Sequence, residues 1–530
     1  MCAFWAQPLP ATFAAVMPVL ESLRFHDTAG DIIAKQWNNG VDHADALMVL
    51  LLMILDSGGP RPLAEVSDWA DQFGIELLLG LDPAKLHDDK IGKTLDALVP
   101  VGEDGEPDLS RLTELHNRLA NTAVCRHGIA TDVLHYDFTG VDFTGAYMGS
   151  KLVRKGKGPA RRQFELGLNV TAQGAFPILA TVHPGATNHT VSVPGNLAKL
   201  AERLPEQKFC VVTDAAGLCY DNVVAYEQAR QCFVSPRQLR EWEKREIAAL
   251  APEQFKLARC RSAKGERFWL HEREWTLAPK AKDGAVTMRA VVVMSENRQS
   301  VERKRARGQM RDLLARLGDI AGLAGGRGNY RRPQYVREMI DKALVKFRHA
   351  SPFVTVDVRE EFALSWTVDW SGLRDARLRM GRWILFTNLP GETHSPEDVL
   401  EMYRGRHVVE SSYRQLKSEL QIAPMHLRLP NRLYALAGVY VIALMVLSAL
   451  QMLARRAGLE TKRGQALTSR ALLRQMKAAT AVVCEVDGQL RATVGPLSDL
   501  AQEYLAAIGF PDAQHWLSVP SCDQSAISGI

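Results

Sequence analysis

Over the first 125 residues apolar positions recur in helical runs, densest in "ADALMVLLLMIL", with breaks at "SGGPRP" and "LGLDP". This predicts a helical N-terminal domain over 1–125, within which "DDKIGKTLDALVP" is one helix with Asp88 or Asp89 near its N-cap. From about residue 131 the period changes to two. "DVLHYDF" alternates, "QFELGLNVT" and "FPILATVHPG" follow with Gly174 in the turn between them, and "KFCVVTD" is a short apolar run of the kind buried strands carry. A mixed sheet is the expected outcome. Between 236 and 392 the basic, helical-looking "VERKRARGQMRDLLARL" lies among strand-like pieces such as "MRAVVVM" and "RWILFTNL". The stretch "SPEDVLEMYRGRHVVESSYRQLKSELQ" predicts a long helix, with Ser395 as N-cap, Pro396 at N1, Asp398 completing a capping box, and Pro424 beyond its end. Downstream, Leu433 to Leu453 is uncharged and long enough to span a bilayer. It is expected to be a core helix, because the helix before it carries charged chemistry that a membrane protein has no use for.

At 530 residues and 46% hydrophobic the chain can bury a large core and exceeds one ordinary domain. A net charge of +5 is mild, so an acidic polymer partner must be argued from local patches. One such patch is "KLVRKGKGPARR", residues 151–162, where six of twelve residues are Lys or Arg. The eight cysteines contain no C-x-x-C pair, which favours reduced thiols over a disulfide framework or a zinc site. The first residues have no basic n-region and are broken by Pro8 and Pro10, so a signal peptide is not expected and a cytoplasmic location is.

Two carboxylates stand in "YDFTGVDFTG". With Val133, His135, Asp137 and Thr139 on one face of a period-two strand, Asp137 lies within the strand register, whereas Asp142 follows Gly140 and is expected to begin the next turn or strand. Asp137 is the preferred candidate and Asp142 the runner-up. Asp214 follows the apolar run Cys210 to Thr213, at a strand end where ligands gather in parallel-containing sheets. In the long predicted helix, Tyr403, Arg406, Glu410 and Lys417 sit at offsets of 0, 3, 7 and 14. At about 100° per residue they share an arc of roughly 60°.

The pattern Tyr403-x2-Arg406-x3-Glu410-x6-Lys417 resembles the Tyr-Arg-Glu-Lys signature of bacterial insertion-sequence transposases of family four, which are DDE enzymes. "YDFT" is similar to the family's first-Asp strand, "VVTDAAG" to its second, and "RWILFTNLPG" to the strand returning from its inserted domain; the likeness runs from about 75 to 455. It departs after the second Asp, where that branch often has Arg-Gly and this chain has Ala215-Ala216-Gly217.

The resemblance implies an α/β fold: an RNase H-like mixed-sheet catalytic domain (126–235 and 393–460) interrupted by a β-rich insertion (236–392), with a helical N-terminal domain (1–125) for DNA end binding or dimerisation and a helical C-terminal region (461–530). The separation of 196 positions from Asp214 to Glu410 independently implies an insertion. Implied chemistry is metal-dependent strand cleavage and strand transfer at the ends of an element. Asp137, Asp214 and Glu410 would be catalytic ligands of Mg²⁺, with Mn²⁺ able to substitute, since hard cations take carboxylate oxygens. Tyr403, Arg406 and Lys417 would contact DNA phosphates. The expected partners are double-stranded DNA, both terminal inverted repeats and target, and a second copy in a synaptic homodimer, with no membrane. The alternative is a catalytically inactive or domesticated DNA-binding descendant.

Overall fold

The computed structural model describes residues 3–10, 13–33, 40–56, 61–143, 154–155, 162–185, 187–261, 265–277, 284–359, 362–423, 425–460, 467–475, 480–486, 489–510 and 513–521. Most of the basic segment 151–162 and Pro424 therefore lie outside the described residues. The chain divides into two compact units: unit 1 is Met1–Thr213, Ala225–Gln231 and Gly405–Ile530, and unit 2 is Asp214–Val224 and Cys232–Arg404.

Unit 1 begins with a strand, Ala3–Pro8, that pairs antiparallel with Thr480–Val486, which in turn pairs with Gln489–Val494, so the C-terminal region expected to be helical carries two strands. Helices α1 (Phe13–Ser22), α2 (Phe25–Ile32), α3 (His43–Leu55), α4 (Val66–Gln72), α5 (Asp88–Leu98) and α6 (Ser110–His127) follow the first strand. α3 opens with a reciprocal capping box between Asp42 and Asp45. In α5 the cap is His87, whose ring accepts from the Lys90 amide at 3.2 Å, and Asp88 and Asp89 sit in the first turn, where they complement the helix dipole. The sheet follows as β1 (Val133–Phe143), β2 (Arg162–Thr171) and β3 (Pro177–Pro184), antiparallel in the order β3-β2-β1, with Gly174 at φ 80° in the turn before β3. Helix α7 (His189–Arg203) then leads to β4 (Cys210–Val212), which pairs parallel with β1, so the sheet is mixed as the periodicity predicts.

Unit 2 holds an antiparallel sheet with strands β5 (Cys232–Pro236), β6 (Lys256–Arg261), β7 (Arg267–Leu277) and β8 (Val286–Ser295), followed by the long α8 (Glu296–Leu323) and α9 (Pro333–Lys346). A hairpin of β9 (Val354–Arg359) and β10 (Ala363–Val368), helix α10 (Trp370–Arg379), strand β11 (Arg382–Thr387) and helix α11 (Pro396–Arg404) complete it. The sheet order is β5-β11-β8-β7-β6. Apart from that sheet, unit 2 has a core of its own: Met310, Leu313, Leu317 and Ile320 form one stripe of α8 against Val336 and Ile340 of α9 and Leu373 of α10.

Unit 1 resumes with α12 (His407–Arg414) and α13 (Pro430–Arg456). The single long helix expected from Ser395 onward is interrupted. Its capping box is present, Ser395 and Asp398 bonding reciprocally at 2.7 and 3.2 Å. At Gly405–Arg406, however, the ladder tightens to i→i+3 bonds, Val408 N to Gly405 O at 3.0 Å and Val409 N to Arg406 O at 3.2 Å. Residues Gln415–Glu419 then widen into a π turn, closed by Leu420 N to Gln415 O at 2.9 Å. Gly405 is a weak helix former at the point where the chain passes between units. Within unit 1 the regular 100° step therefore does not hold between Glu410 and Lys417.

α13 is the expected core helix: 94% of its most apolar window is buried within the protein. It packs against α1, α3, α5, α6 and β3. A Cβ on Gly438 would lie 2.4 Å from Leu112 Cδ1, so only glycine admits α6 this closely. There His116 Nε2 donates to the Gly438 carbonyl at 2.9 Å, and burial pushes the imidazole pKa down to about 4, leaving it neutral. At its start Arg432 makes a two-pronged pair with Asp96 of α5 (2.8 and 2.6 Å), and Asn431 adds a bond at 2.9 Å.

Candidate active site

β1 pairs with β2 in unbroken register from Leu134 to Phe143. Side chains alternate along the whole strand, placing His135, Asp137, Thr139 and Val141 on one face and Tyr136, Phe138 and Asp142 on the other. Asp142 does not begin a new turn or strand; Gly140 is absorbed into the ladder, and the two carboxylates of the repeated motif point to opposite sides of the sheet. On the Asp142 side the strand is braced by aromatic packing, with the Phe138 ring stacked on His189 at 4.2 Å, and His189 bonds the buried Glu165.

On the Asp137 side α12 packs against β1 and β2. Asp137 Oδ2 accepts from Arg406 Nη2 at 2.9 Å, and Oδ1 accepts from the Phe138 amide at 2.9 Å. The Tyr413 hydroxyl, on the inner face of α12, donates to the Asp137 carbonyl and accepts from the Leu168 amide at 3.2 Å, tying the helix into the β1–β2 ladder. Burial, reinforced by the nearby Asp137 charge, raises the Tyr413 pKa well above its usual value, so the hydroxyl stays a donor. His135 is fully buried, with neither ring nitrogen hydrogen-bonded. Burial first, and the charges of His407 and Arg406 second, lower its pKa to about 4. The chain thus keeps a neutral imidazole two residues from Asp137.

Glu410 lies one turn beyond Arg406 and is exposed, with no hydrogen-bond or ion-pair partner among the described residues. Lys417 is exposed on the π turn. Tyr403 is half-buried on α11. Asp214, two residues after β4, caps the short turn Ala215–Gly217 by accepting from the Ala216 amide at 2.9 Å, and its carbonyl accepts from Ser235 Oγ at 2.8 Å. The predicted residues that the structure brings into contact are Asp137 and Arg406.

Sequence inspection missed Tyr413 and His135. Tyr413 was concealed by its place among Val409, Ser412 and Leu416, the ordinary spacing of a buried helix face. One further trio has the spacing of metal ligands among the described residues, His26, Asp42 and Asp45, with atoms within 4.8 Å of one another. Its carboxylates already serve the α3 capping box, and Asp45 Oδ1 meets His26 Nε2 at 2.8 Å.

Comparison with known proteins gives two family matches. Residues 131–446, more than half of the chain, match the Transposase DDE domain, and residues 12–105 match a domain of unknown function, DUF4277. Among curated proteins none matches. Among solved structures the chain is similar to a piggyBac transposase synaptic complex with hairpin DNA, determined by cryo-electron microscopy, at TM-score 0.41 and 9% identity over 99% of this chain and 87% of that one.

Proposed function

The chain belongs to the Transposase DDE domain family, and from that membership we propose that it is a DNA transposase of the family-four insertion-sequence type, cutting and joining DNA at the ends of its own element. The observation that carries this is the Asp137 site: a carboxylate on the central strand faces a guanidinium one turn ahead of the exposed, unpaired Glu410. The topology agrees with an RNase H-like catalytic domain, three antiparallel strands followed by a helix and a strand parallel to the first.

The donor chemistry fits hard divalent cations, Mg²⁺ or Mn²⁺, because the proposed ligands Asp137, Asp214 and Glu410 are all carboxylates. When bound, such cations clamp the attacking and leaving oxygens of an in-line displacement at phosphorus. Asp137 would offer Oδ2 to a cation or to Arg406 but not fully to both, and Arg406, where Asp137 serves a cation, would be left to turn its fork toward a phosphate oxygen. Lys417, exposed on the π turn, supplies a second phosphate contact, and Tyr403 a hydroxyl. The helical region 1–125 serves end binding or dimerisation, and two copies synapse two ends.

The test uses duplexes taken from the DNA flanking the gene on each side, with Mg²⁺ or Mn²⁺. Wild type should cut at a fixed position, and Asp137→Ala, Asp214→Ala and Glu410→Ala should bind the same duplexes without cutting. Binding without cleavage by wild type would favour the inactive descendant, and cleavage by Asp137→Ala would remove that residue from the site.

A further inference from the structure

Unit 2 contains a cavity of about 480 Å³ between α8 and α10 that the transposase chemistry leaves unused. One wall is a row of arginines, Arg303, Arg307 and Arg311, spaced four residues apart on α8 and therefore about 6 Å apart along its axis. Arg377 of α10 faces the same space. Met310, Leu314 and Leu373 form an apolar floor, and the rim is Trp370, which is 59% exposed. The side chains of Arg303, Arg307 and Arg377 have no hydrogen-bond or ion-pair partner among the described residues. Arg311 pairs only with its exposed neighbour Asp312 at 2.9 Å, an exchange that costs little in water.

An indole left in water beside a line of unpaired guanidiniums is a poor arrangement for a free surface and a good one for a ligand with regularly repeated anions and flat apolar faces. We infer that this groove binds a single strand of nucleic acid, its successive phosphates on Arg303, Arg307 and Arg311 and one unstacked base against Trp370 over the apolar floor. Duplex DNA would reach the arginines with its phosphates but keep its bases stacked inside, leaving Trp370 and the floor wet. An acidic peptide would satisfy the arginines and offers no repeated flat group to the indole. The inference deepens the transposase proposal by naming the form of DNA that unit 2 holds, and it rests on that proposal only for the strand's source.

The full chain is titrated with fluorescein-labelled dT12, with the dA12·dT12 duplex and with a polyglutamate peptide. Trp370→Ala should weaken dT12 binding by about 5- to 150-fold, and Trp370→Phe should retain most of it. Replacing Arg303, Arg307 and Arg311 together with Ser should flatten the dependence of log K on log salt by about two units. A 5-bromodeoxyuridine strand should photocrosslink to the peptide containing Trp370. Unchanged dT12 affinity and salt slope in these variants, or crosslinks only elsewhere, would overturn the inference, as would polyglutamate binding through the same residues without dT12. End cleavage by wild type alongside unchanged dT12 binding in the variants would sink the groove alone. Groove-dependent dT12 binding without any end cleavage would sink the transposase proposal alone.

Discussion

Tyr413→Phe removes one oxygen from a place where it holds two strands and a helix together. The residue is 7% exposed, so the phenyl ring keeps its packing and only the hydroxyl's bonds are lost. The Asp137 carbonyl loses a donor and the Leu168 amide loses an acceptor, both away from bulk water. A buried polar group left unsatisfied costs about 1–3 kcal/mol. Partial re-pairing between the strands would recover some of this, so the net loss should be about 2 kcal/mol, with a fall of a few degrees in Tm. The same change frees α12 to shift against β1, which displaces Glu410 relative to Asp137. Half-saturating Mg²⁺ for end cleavage should then rise severalfold, while duplex binding without metal stays at the wild-type level. Scanning fluorimetry and a Mg²⁺ titration of single-turnover cleavage read the two effects. A variant with wild-type Tm and an unchanged Mg²⁺ profile would show that Tyr413 neither braces the ladder nor positions the carboxylates.

Arg406→Ala and Lys417→Ala should each reduce the salt slope of end binding by about one unit, and wild-type slopes with normal cleavage in both would make these cations structural. The Arg432 side chain holds the Asp96 carboxyl below its usual pKa, so this ion pair stabilises the fold above the unfolded carboxylate's pKa of about 3.9 and loses that contribution as pH falls through the lower folded value. The Tm gap between wild type and Asp96→Asn should accordingly be widest above about pH 4 and close below it; a gap independent of pH would refute the pairing. Gly438→Ala should destabilise by about 1–3 kcal/mol through overpacking against Leu112, and Leu112→Ala in the same chain should recover part of the loss in a thermal melt.

Elements that depend on local pattern were legible in the chain. The period-two runs gave β1, β2 and β3, Gly174 marked the turn, and the Ser395 capping box opened a helix. What the pattern could not show was long-range. A 3.6-residue wheel assumes uniform winding, and nothing in "YRGRHVVESSYRQLKSE" announces a tightened turn at Gly405 followed by a widened one at Gln415. Asp142 opens no new element because Gly140 pairs with Glu165 on β2 and the strand runs straight through. Arg406 was legible as a cation of the signature, but its contact with Asp137 spans 269 residues and belongs to the tertiary fold. His135 looked like one more alternating position until burial removed its partners.

Helix α13 has consequences for how the protein can be made. Outside its wrapping it is a rod of membrane-like hydropathy, and most of the surfaces that sheathe it, α1, α3, α5, α6 and β3, are encoded before it, with only helix Ser469–Gln475 among the described helices that pack on it coming after. During synthesis from the N-terminus most of the sheath leaves the ribosome before the rod does. Circular permutation that translates residues 430–456 ahead of 13–127 would reverse that order, and the nascent rod would meet chaperones, targeting factors or other nascent rods before its own sheath. The 3′ side of the rod is needed too, because strand Thr480–Val486 pairs with Ala3–Pro8 and Trp516 Nε1 donates to Glu21 at 2.9 Å.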